Sequence, residues 1–91
     1  MFTEAISASG VAEATGVRQT SSTVQVSLKG ASGSGTVTVS AIPSGQDTYE
    51  DITDGTISVS APTTLIFDGY VRAIKATSDN SGDSFTLQVV A

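Results

Sequence analysis

Apolar and polar residues alternate along most of the chain, and this period of two predicts β-strands that bury one face. Val, Ile, Leu, Phe or Ala alternates with Thr, Ser or Gln in four stretches, at residues 24–28, 36–41, 56–60 and 85–89. Residues 70–76 carry mixed side chains on both faces, which predicts a strand with protein on both sides or one at a rim. A helical period is almost absent, so we expect an all-β fold.

Turn residues separate these stretches. The Asp-Gly pairs at 54–55 and 68–69 favour two-residue hairpins, because both residue types tolerate positive φ. The glycine-rich residues 29–35 are interpreted as a hairpin loop, residues 43–47 as a second connection, and residues 78–83 as the turn between the last two strands. Strands of this length and spacing predict a small antiparallel β-sandwich or jelly roll of about 7–8 short strands.

The N-terminal segment is less regular. Residues 2–7 fit a strand, but Glu4 interrupts its apolar face, and the Val-Ala-Glu-Ala stretch at 11–14 is too short to predict a helix. We therefore assign residues 1–20 to an N-terminal strand or arm and residues 21–91 to the β-sandwich, within a single domain overall.

The composition limits how this fold is stabilised. The chain has 91 residues, no cysteine and 5% aromatic residues, so aliphatic side chains must form the core without disulfides or zinc. Charged residues make up 14% of the chain, and the mean hydropathy is +0.15. This composition leaves two interpretations open: a solvated hydroxyl-rich surface, or a surface partly covered by partner proteins.

The net charge of −5 argues against two classes of partner. The four cations (Arg18, Lys29, Arg72 and Lys75) are dispersed and form no phosphate-binding patch, so we expect no nucleic-acid partner. An acidic membrane surface would repel the chain, and no apolar run is long enough to span a bilayer. The N-terminus lacks the pattern of a secretion signal, so we expect synthesis in a cytoplasm.

The residues that usually carry catalysis are missing. The chain has no His and no Cys, and no serine lies in a nucleophile elbow. The glycine-rich stretch lacks the lysine of a phosphate-binding loop. We therefore predict that the protein is not an enzyme and has no catalytic or cofactor-binding residues.

Two groups of acidic and amide residues could in principle bind calcium through their oxygens. Neither has the spacing of an EF-hand, and Asp and Asn favour turns for local hydrogen-bonding reasons, so we favour a turn role and predict no metal site. A carboxylate pair could also serve a glycosidase, but a chain of this size offers little cleft for a sugar. The groups are Asp47, Glu50, Asp51 and Asp54, and Asp79, Asn80 and Asp83.

Carbohydrate binding is an alternative of another class. Flat β-faces that carry Tyr49 and Tyr70 could stack on sugars, as small carbohydrate-binding or adhesin-like modules do. Such modules usually present more aromatic residues, especially tryptophan, which this chain lacks.

Three stretches carry a resemblance to a known family. Residues 68–76 (DGYVRAIKA), a glycine-containing turn and residues 84–90 (SFTLQVV) are similar to the C-terminal hairpin of small virion structural proteins of tailed bacteriophages. Residues 35–40 (GTVTVS) look like an earlier strand of those proteins, which leads to an aromatic segment whose place Tyr49 would take. The resemblance covers residues 20–91 and consists of loose β patterns.

The resemblance implies a β-sandwich that coats or extends a virion. Its first implication is a non-enzymatic capsid decoration (cement) protein, a homotrimer that binds and stabilises the shell of the major capsid protein. The second is a phage neck, tail or head-fibre component that binds other virion proteins. In either case the protein would be localised in the virion after synthesis in the host cytoplasm.

Five residues are candidates for partner binding. Phe2 and Ile6 lie in the N-terminal segment, and Arg18 and Arg72 are included because arginine can hold carboxylates in a bidentate way. Tyr70 is the fifth candidate.

Overall fold

The computed structural model describes residues 2–91 and contains eight strands and no helix in that range. Met1, the first residue of the predicted N-terminal segment, lies outside the described residues. The strands are β1 (Thr3–Ser9), β2 (Val11–Thr15), β3 (Thr23–Ser32), β4 (Thr36–Pro43), β5 (Glu50–Ser58), β6 (Leu65–Asp68), β7 (Val71–Ser78) and β8 (Ser84–Val90).

The strands form two antiparallel sheets in jelly-roll order. The first sheet has the order β1-β8-β3-β6 and the second β2-β7-β4-β5. Strands 1 and 8, 2 and 7, 3 and 6, and 4 and 5 are antiparallel neighbours, so the chain forms one long ribbon of four strand pairs. The ribbon is rolled up by the additional pairs β3–β8 and β4–β7. The predicted all-β fold, a small antiparallel sandwich or jelly roll of 7–8 strands, is confirmed.

The core lies between the two sheets and is aliphatic, as the alternating pattern predicts. Phe85 is the one aromatic residue that is fully buried within residues 2–91. Burial of each Val, Ile or Leu side chain contributes roughly 1.5–3 kcal/mol. The buried aliphatic side chains from both sheets include Val24, Val26, Leu28, Val37, Val39, Ile57, Val59, Ile74, Leu87 and Val89.

Most connections cross between the sheets, and this corrects three predicted hairpins. Only β4 and β5 are consecutive strands of one sheet, joined through residues 44–49. Residues 33–35, 69–70 and 79–83 each join strands of opposite sheets, so the hairpins predicted around residues 29–35, 68–69 and 78–83 are wrong. Residues 68–76 and 84–90, which resemble the C-terminal hairpin of phage virion proteins, contribute β7 and β8 to opposite sheets and so do not form a hairpin either. Turn residues mark where the chain reverses, but the sheet that each strand joins depends on distant partners.

The Asp-Gly pair at residues 54–55 lies inside a strand. Asp54 has the predicted positive φ of 56°, yet β5 runs without interruption through residues 54–55. The register against β4 shifts between Thr38 and Ser40, so this positive φ forms a bulge in an edge strand and the predicted hairpin is wrong. Gly55 is buried there, and a Cβ on it would lie 2.7 Å from the carbonyl oxygen of Ile52.

The N-terminal residues form the edge strands of both sheets. β1 and β2 are separated only by Gly10, whose φ of 77° allows the chain to turn from one sheet into the other. The Gly10 amide donates to the carbonyl oxygen of Asp83, and the Ser78 amide donates to the carbonyl oxygen of Gly10. The inward face of β2 consists of Ala12 and Ala14, both buried.

β7 is a central strand with a second irregularity at its start. Ile74 and Ala76 point into the core, whereas Ala73 is buried on the outer face of the second sheet. The register against β4 shifts between Ile42 and Pro43, and Val71 therefore joins the core cluster. This shift explains the mixed faces in the sequence, because the alternation changes face within the strand.

Candidate functional site

The connections at one end of the sandwich are held together by backbone hydrogen bonds. The amides of Gly16 and Val17 both donate to the carbonyl oxygen of Arg72, at 3.1 Å. The Ser44 amide donates to the carbonyl oxygen of Tyr70 at 3.0 Å. We call residues 16–22, 44–49 and 69–72 the loop end.

Gln19 ties two of these segments together through its side chain. Its Nε2 donates to the carbonyl oxygen of Gly69 at 2.7 Å, and its Oε1 accepts from the amide of Val71 at 2.6 Å. The side-chain amide thus acts as a short piece of strand beside residues 69–71, and the Gly69 amide also donates to the carbonyl oxygen of Ser22 at 2.7 Å. These bonds give the loop end a fixed shape. Nothing in the sequence pattern identifies Gln19 for this role.

Three of the five predicted partner-binding residues lie at the loop end. Tyr70 is 62% exposed, and Arg18 is exposed. Nη2 of Arg72 lies 3.2 Å from Oδ1 of Asp47, with the two side chains 54% and 93% exposed. Such an exposed ion pair contributes at most about 1 kcal/mol, so Arg72 remains available to another carboxylate.

Phe2 and Ile6 lie along the edge of the first sheet, Phe2 directly before β1 and Ile6 within it. Both side chains are half-buried and pack against the core. Phe2 also exchanges two backbone hydrogen bonds with Ala91, at 2.8 and 2.9 Å. Ala91 lines a shallow pocket together with Thr20 and Ser21, so Phe2 lies at the same end of the sandwich as residues 16–22. Ile6 lies in the middle of β1, and the contact of either residue with a partner stays a prediction.

An open groove of about 410 Å³ runs beside the loop end, between β5 and β6. Tyr70 presents its ring there, and Phe67 and Pro43 supply further apolar surface. The carboxylates that line the groove are Glu50, Asp51 and Asp68. An aromatic ring beside hydrogen-bond acceptors can hold a small polar ligand.

The other tyrosine is engaged with its neighbours. The hydroxyl of Tyr49 donates to Oε2 of Glu13 at 2.5 Å, and Nζ of Lys75 lies 4.3 Å from the ring centroid. Partial burial, together with the hydrogen bond and charge of Glu13, raises the pKa of Tyr49 well above its usual value, although Arg72 acts in the opposite direction. Tyr49 thus covers the outer face of the second sheet, and of the two tyrosines only Tyr70 is free to contact a ligand.

A buried carboxylate organises the opposite end of the sandwich. Asp83 is 1% exposed, and its Oδ1 accepts from the amide of Ser34 at 3.2 Å. Its Oδ2 accepts from the Gly35 amide at 3.0 Å and from the Ser78 hydroxyl at 2.7 Å. Asp83 therefore holds the glycine-rich β3–β4 connection against the β7–β8 connection.

The side-chain oxygens of the neighbouring Asp79 and Asn80 also accept hydrogen bonds within the protein. Oδ1 of Asp79 accepts from the Thr36 amide at 2.9 Å, and Oδ1 of Asn80 accepts from the Gly82 amide at 3.2 Å. Within residues 2–91, no three or more His, Cys, Asp or Glu side chains are grouped so that they could hold a metal ion. The hydrogen bonds of Asp79, Asn80 and Asp83 hold the turns and connections in which these residues lie.

Two further observations do not concern a particular site. No helix suited to crossing a membrane occurs in the described part of the chain. Comparison with protein-family models, with curated proteins and with solved structures gave no match.

Proposed function

We propose that this protein is a non-enzymatic structural subunit of a tailed-phage virion, specifically a capsid decoration protein that binds the shell through its loop end. The observation that carries the proposal is that Arg18, Tyr70 and Arg72 all lie at the loop end, on segments that are held together by Gln19 and by backbone hydrogen bonds. Tyrosine and arginine are, with tryptophan, the residue types that most often dominate the energy of protein interfaces. A binding surface formed by these side chains suits a protein that acts by association.

The rigidity of the loop end favours binding further. Ordering a loop on association opposes binding, and a surface that is already ordered avoids this loss. The side-chain bonds of Gln19 and the backbone bonds to residues 69–72 supply that order before any partner arrives. Carboxylate groups on the shell are the expected partners of the two arginines.

Fold and sequence add support of a weaker kind. Jelly rolls occur in viral capsid proteins, but also in lectins and cupins, so the fold supports a virion role only by analogy. The resemblance of residues 68–76 and 84–90 to phage virion proteins favours that class, although the two segments lie in different sheets and form no hairpin. Placement in the neck, tail or a head fibre is the second form of the same proposal.

The test is binding of the purified protein to phage shells from which it has been removed. We expect Arg18→Ala to weaken binding at least tenfold, because a hot-spot arginine contributes about 2 kcal/mol. Lys29→Ala is the matched control: it removes an exposed cation from β3, away from the loop end, and we expect it to bind like the wild type. Equal binding by both variants, or no binding by the wild type, would contradict the proposal.

Carbohydrate binding is a second candidate because the groove places the exposed Tyr70 ring beside Asp68 and the start of β5. A binding titration of the purified protein with soluble glycans distinguishes the two functions. A sugar site predicts that Tyr70→Ala abolishes glycan binding, whereas Arg18→Ala and Tyr49→Phe leave it intact. Shell binding without glycan binding would exclude this candidate.

A further inference from the structure

β1 is an edge strand whose free side is ready to pair. Within residues 2–91 it pairs only with β8, in unbroken register from Thr3–Val90 to Ser9–Ser84. Phe2 and Ala91 exchange both of their hydrogen bonds, and antiparallel pairs alternate, so every second residue after Phe2 bonds to β8. The residues whose N–H and C=O groups point away from the sheet are therefore Thr3, Ala5, Ser7 and Ser9.

This edge lacks the features that usually prevent strand pairing. β1 has seven residues, no proline, no bulge and no outward charge, and its outward side chains are small. Its one charged residue, Glu4, is half-buried and lies opposite Val89 on the inner face. Edge strands of this length and composition are templates for another strand.

The other three edges are protected. β5 carries a bulge at Asp54-Gly55 and two acidic residues at its start. β2 has five residues with Glu13 at its centre, and β6 has only four and ends in Asp68. The contrast within one small domain singles out β1.

We propose that β1 pairs with β1 of a second copy, antiparallel around a two-fold axis at Ile6. In this register Thr3 lies opposite Ser9 and Ala5 opposite Ser7. In both pairs the N–H and C=O groups that do not bond to β8 can therefore bond to those of the second copy. Ile6 meets Ile6 of the second copy, which covers the exposed part of this half-buried side chain. The two first sheets then join into one sheet of eight strands.

Glu4 favours this register over the one with the axis at Ala5. With the axis at Ile6, Glu4 lies opposite Ala8, and the two Glu4 residues are about 14 Å apart along the strand, at ~3.4 Å per residue. That distance exceeds the screening length of about 8 Å at physiological salt. An axis at Ala5 would bring them to about 7 Å, where their repulsion opposes pairing.

A second copy fits this edge better than another occupant. A two-fold contact needs one surface that complements itself, and β1 meets that condition in hydrogen bonding, side-chain size and charge. The trimer that the resemblance implies would need β1 to pair with a different edge of the next copy, and those edges are short, bulged or acidic. We therefore expect a dimer.

The dimer does not depend on the proposed function, but it has a consequence for it. Antiparallel pairing directs the two loop ends to opposite sides of the dimer. A dimeric decoration protein would bind two shell subunits at once, one through each loop end, and would gain avidity without any new type of contact. Failure of shell binding would leave the dimer intact, and loss of the dimer would leave binding through a single loop end.

The test is the solution mass of the full chain by light scattering across a dilution series. The wild type should approach twice 9.2 kDa. Ala5→Pro removes an edge-facing N–H without removing a bond to β8, so we expect at least tenfold weaker dimerisation with an unchanged circular dichroism spectrum. Thr15→Pro makes the same change on the edge of β2 and should leave the dimer as it is.

Hydrogen exchange of the wild type provides an independent measure if Ala5→Pro does not fold. The amides of Ala5 and Ser7 should become protected as the protein concentration rises. A monomer at every concentration, a trimer, or a dimer retained by folded Ala5→Pro would overturn the proposal. Protection of these amides only on phage shells would assign the edge to a strand of the shell, which also overturns it.

Discussion

At the scale of single residues, the most constrained side chain is the buried carboxylate of Asp83. Its oxygens accept from two amides and one hydroxyl, and each such bond to a charged group contributes about 1.5–3 kcal/mol. The two amides belong to the β3–β4 connection, which crosses between the sheets. One side chain thereby holds together two connections that lie almost fifty residues apart in the sequence.

We expect Asp83→Asn to lower the free energy of unfolding by about 2–4 kcal/mol. The new NH₂ group would face donors in place of an acceptor. Asp79→Asn is the matched control: Asp79 is exposed and uses only Oδ1, which asparagine retains, so we expect a loss below about 0.5 kcal/mol. Urea unfolding measures both variants, and equal losses would show that Asp83 does not hold the connections.

Tyr49 makes a prediction about pH. Its pKa is raised in the folded protein, chiefly by burial and then by Glu13, so the folded state retains the phenolic proton longer than the unfolded state. This contribution is fully present below about pH 10, the unfolded pKa of tyrosine, and is lost as the pH rises towards the folded pKa. We therefore expect stability to decrease above about pH 10.

The measurement is an ultraviolet titration of Tyr70→Phe, in which Tyr49 is the single tyrosine. Its ionisation should begin above the usual range for tyrosine, and Glu13→Gln, which removes the neighbouring negative charge, should bring it closer to that range. Ionisation near pH 10 in the folded protein would refute the hydrogen-bonded position of Tyr49.

At the scale of elements, the alternation of apolar and polar residues predicts most of the strands, because one face of each strand packs against the core. Val and Leu mark the inward positions of β3, β4 and β8, and these strands were predicted from their pattern. β2 was missed because its inward residues are Ala12 and Ala14, which give little hydrophobic contrast. Both faces of β7 appeared mixed because a register shift lies within the strand.

The connections were harder to predict because turn chemistry is local and sheet membership is not. Asp-Gly at 54–55 supplies positive φ, and this conformation serves a bulge as well as a hairpin. The loop end was predictable only in part: Arg18, Tyr70 and Arg72 were named, but their proximity depends on crossings between sheets. The role of Gln19 follows from those crossings and has no sequence signal.

The β3–β4 connection provides the prediction at this scale. A Cβ on Gly33 would lie 1.8 Å from Oδ1 of Asp83, so we expect Gly33→Ala to displace that carboxylate and cost at least about 2–3 kcal/mol of stability. Gly30 also has positive φ, but its Cβ position is open. Gly30→Ala should therefore cost only about 1 kcal/mol, from backbone strain.

Thermal unfolding of the two glycine variants separates contact from strain. A similar loss of stability in both variants would mean that contact with the Asp83 carboxylate adds nothing to the cost of a side chain at Gly33. The φ of Gly33 is 136°, against 57° for Gly30, so backbone strain alone also costs more at Gly33. A loss for Gly33→Ala that becomes smaller in the Asp83→Ala background would show that the carboxylate contributes to it.

At the scale of the whole molecule, the jelly roll places two unlike surfaces on one small domain. The loop end carries two arginines and an exposed tyrosine, whereas the edge-facing residues of β1 (Thr3, Ala5, Ser7 and Ser9) carry no charge. The first suits a contact with a different protein and the second a contact with another copy. Because all but one of the connections cross between the sheets, the core needs both sheets, and we expect the domain to unfold as one cooperative unit.

The central claim is that this protein is a structural part of a phage particle. The most direct test of this proposal is quantitative mass spectrometry of phage particles purified from a lysate in which the protein is made, combined with immunogold labelling. The account predicts many copies per particle, in fixed ratio to the major capsid protein, with label over the heads. Absence of the protein from particles purified to constant composition would contradict it.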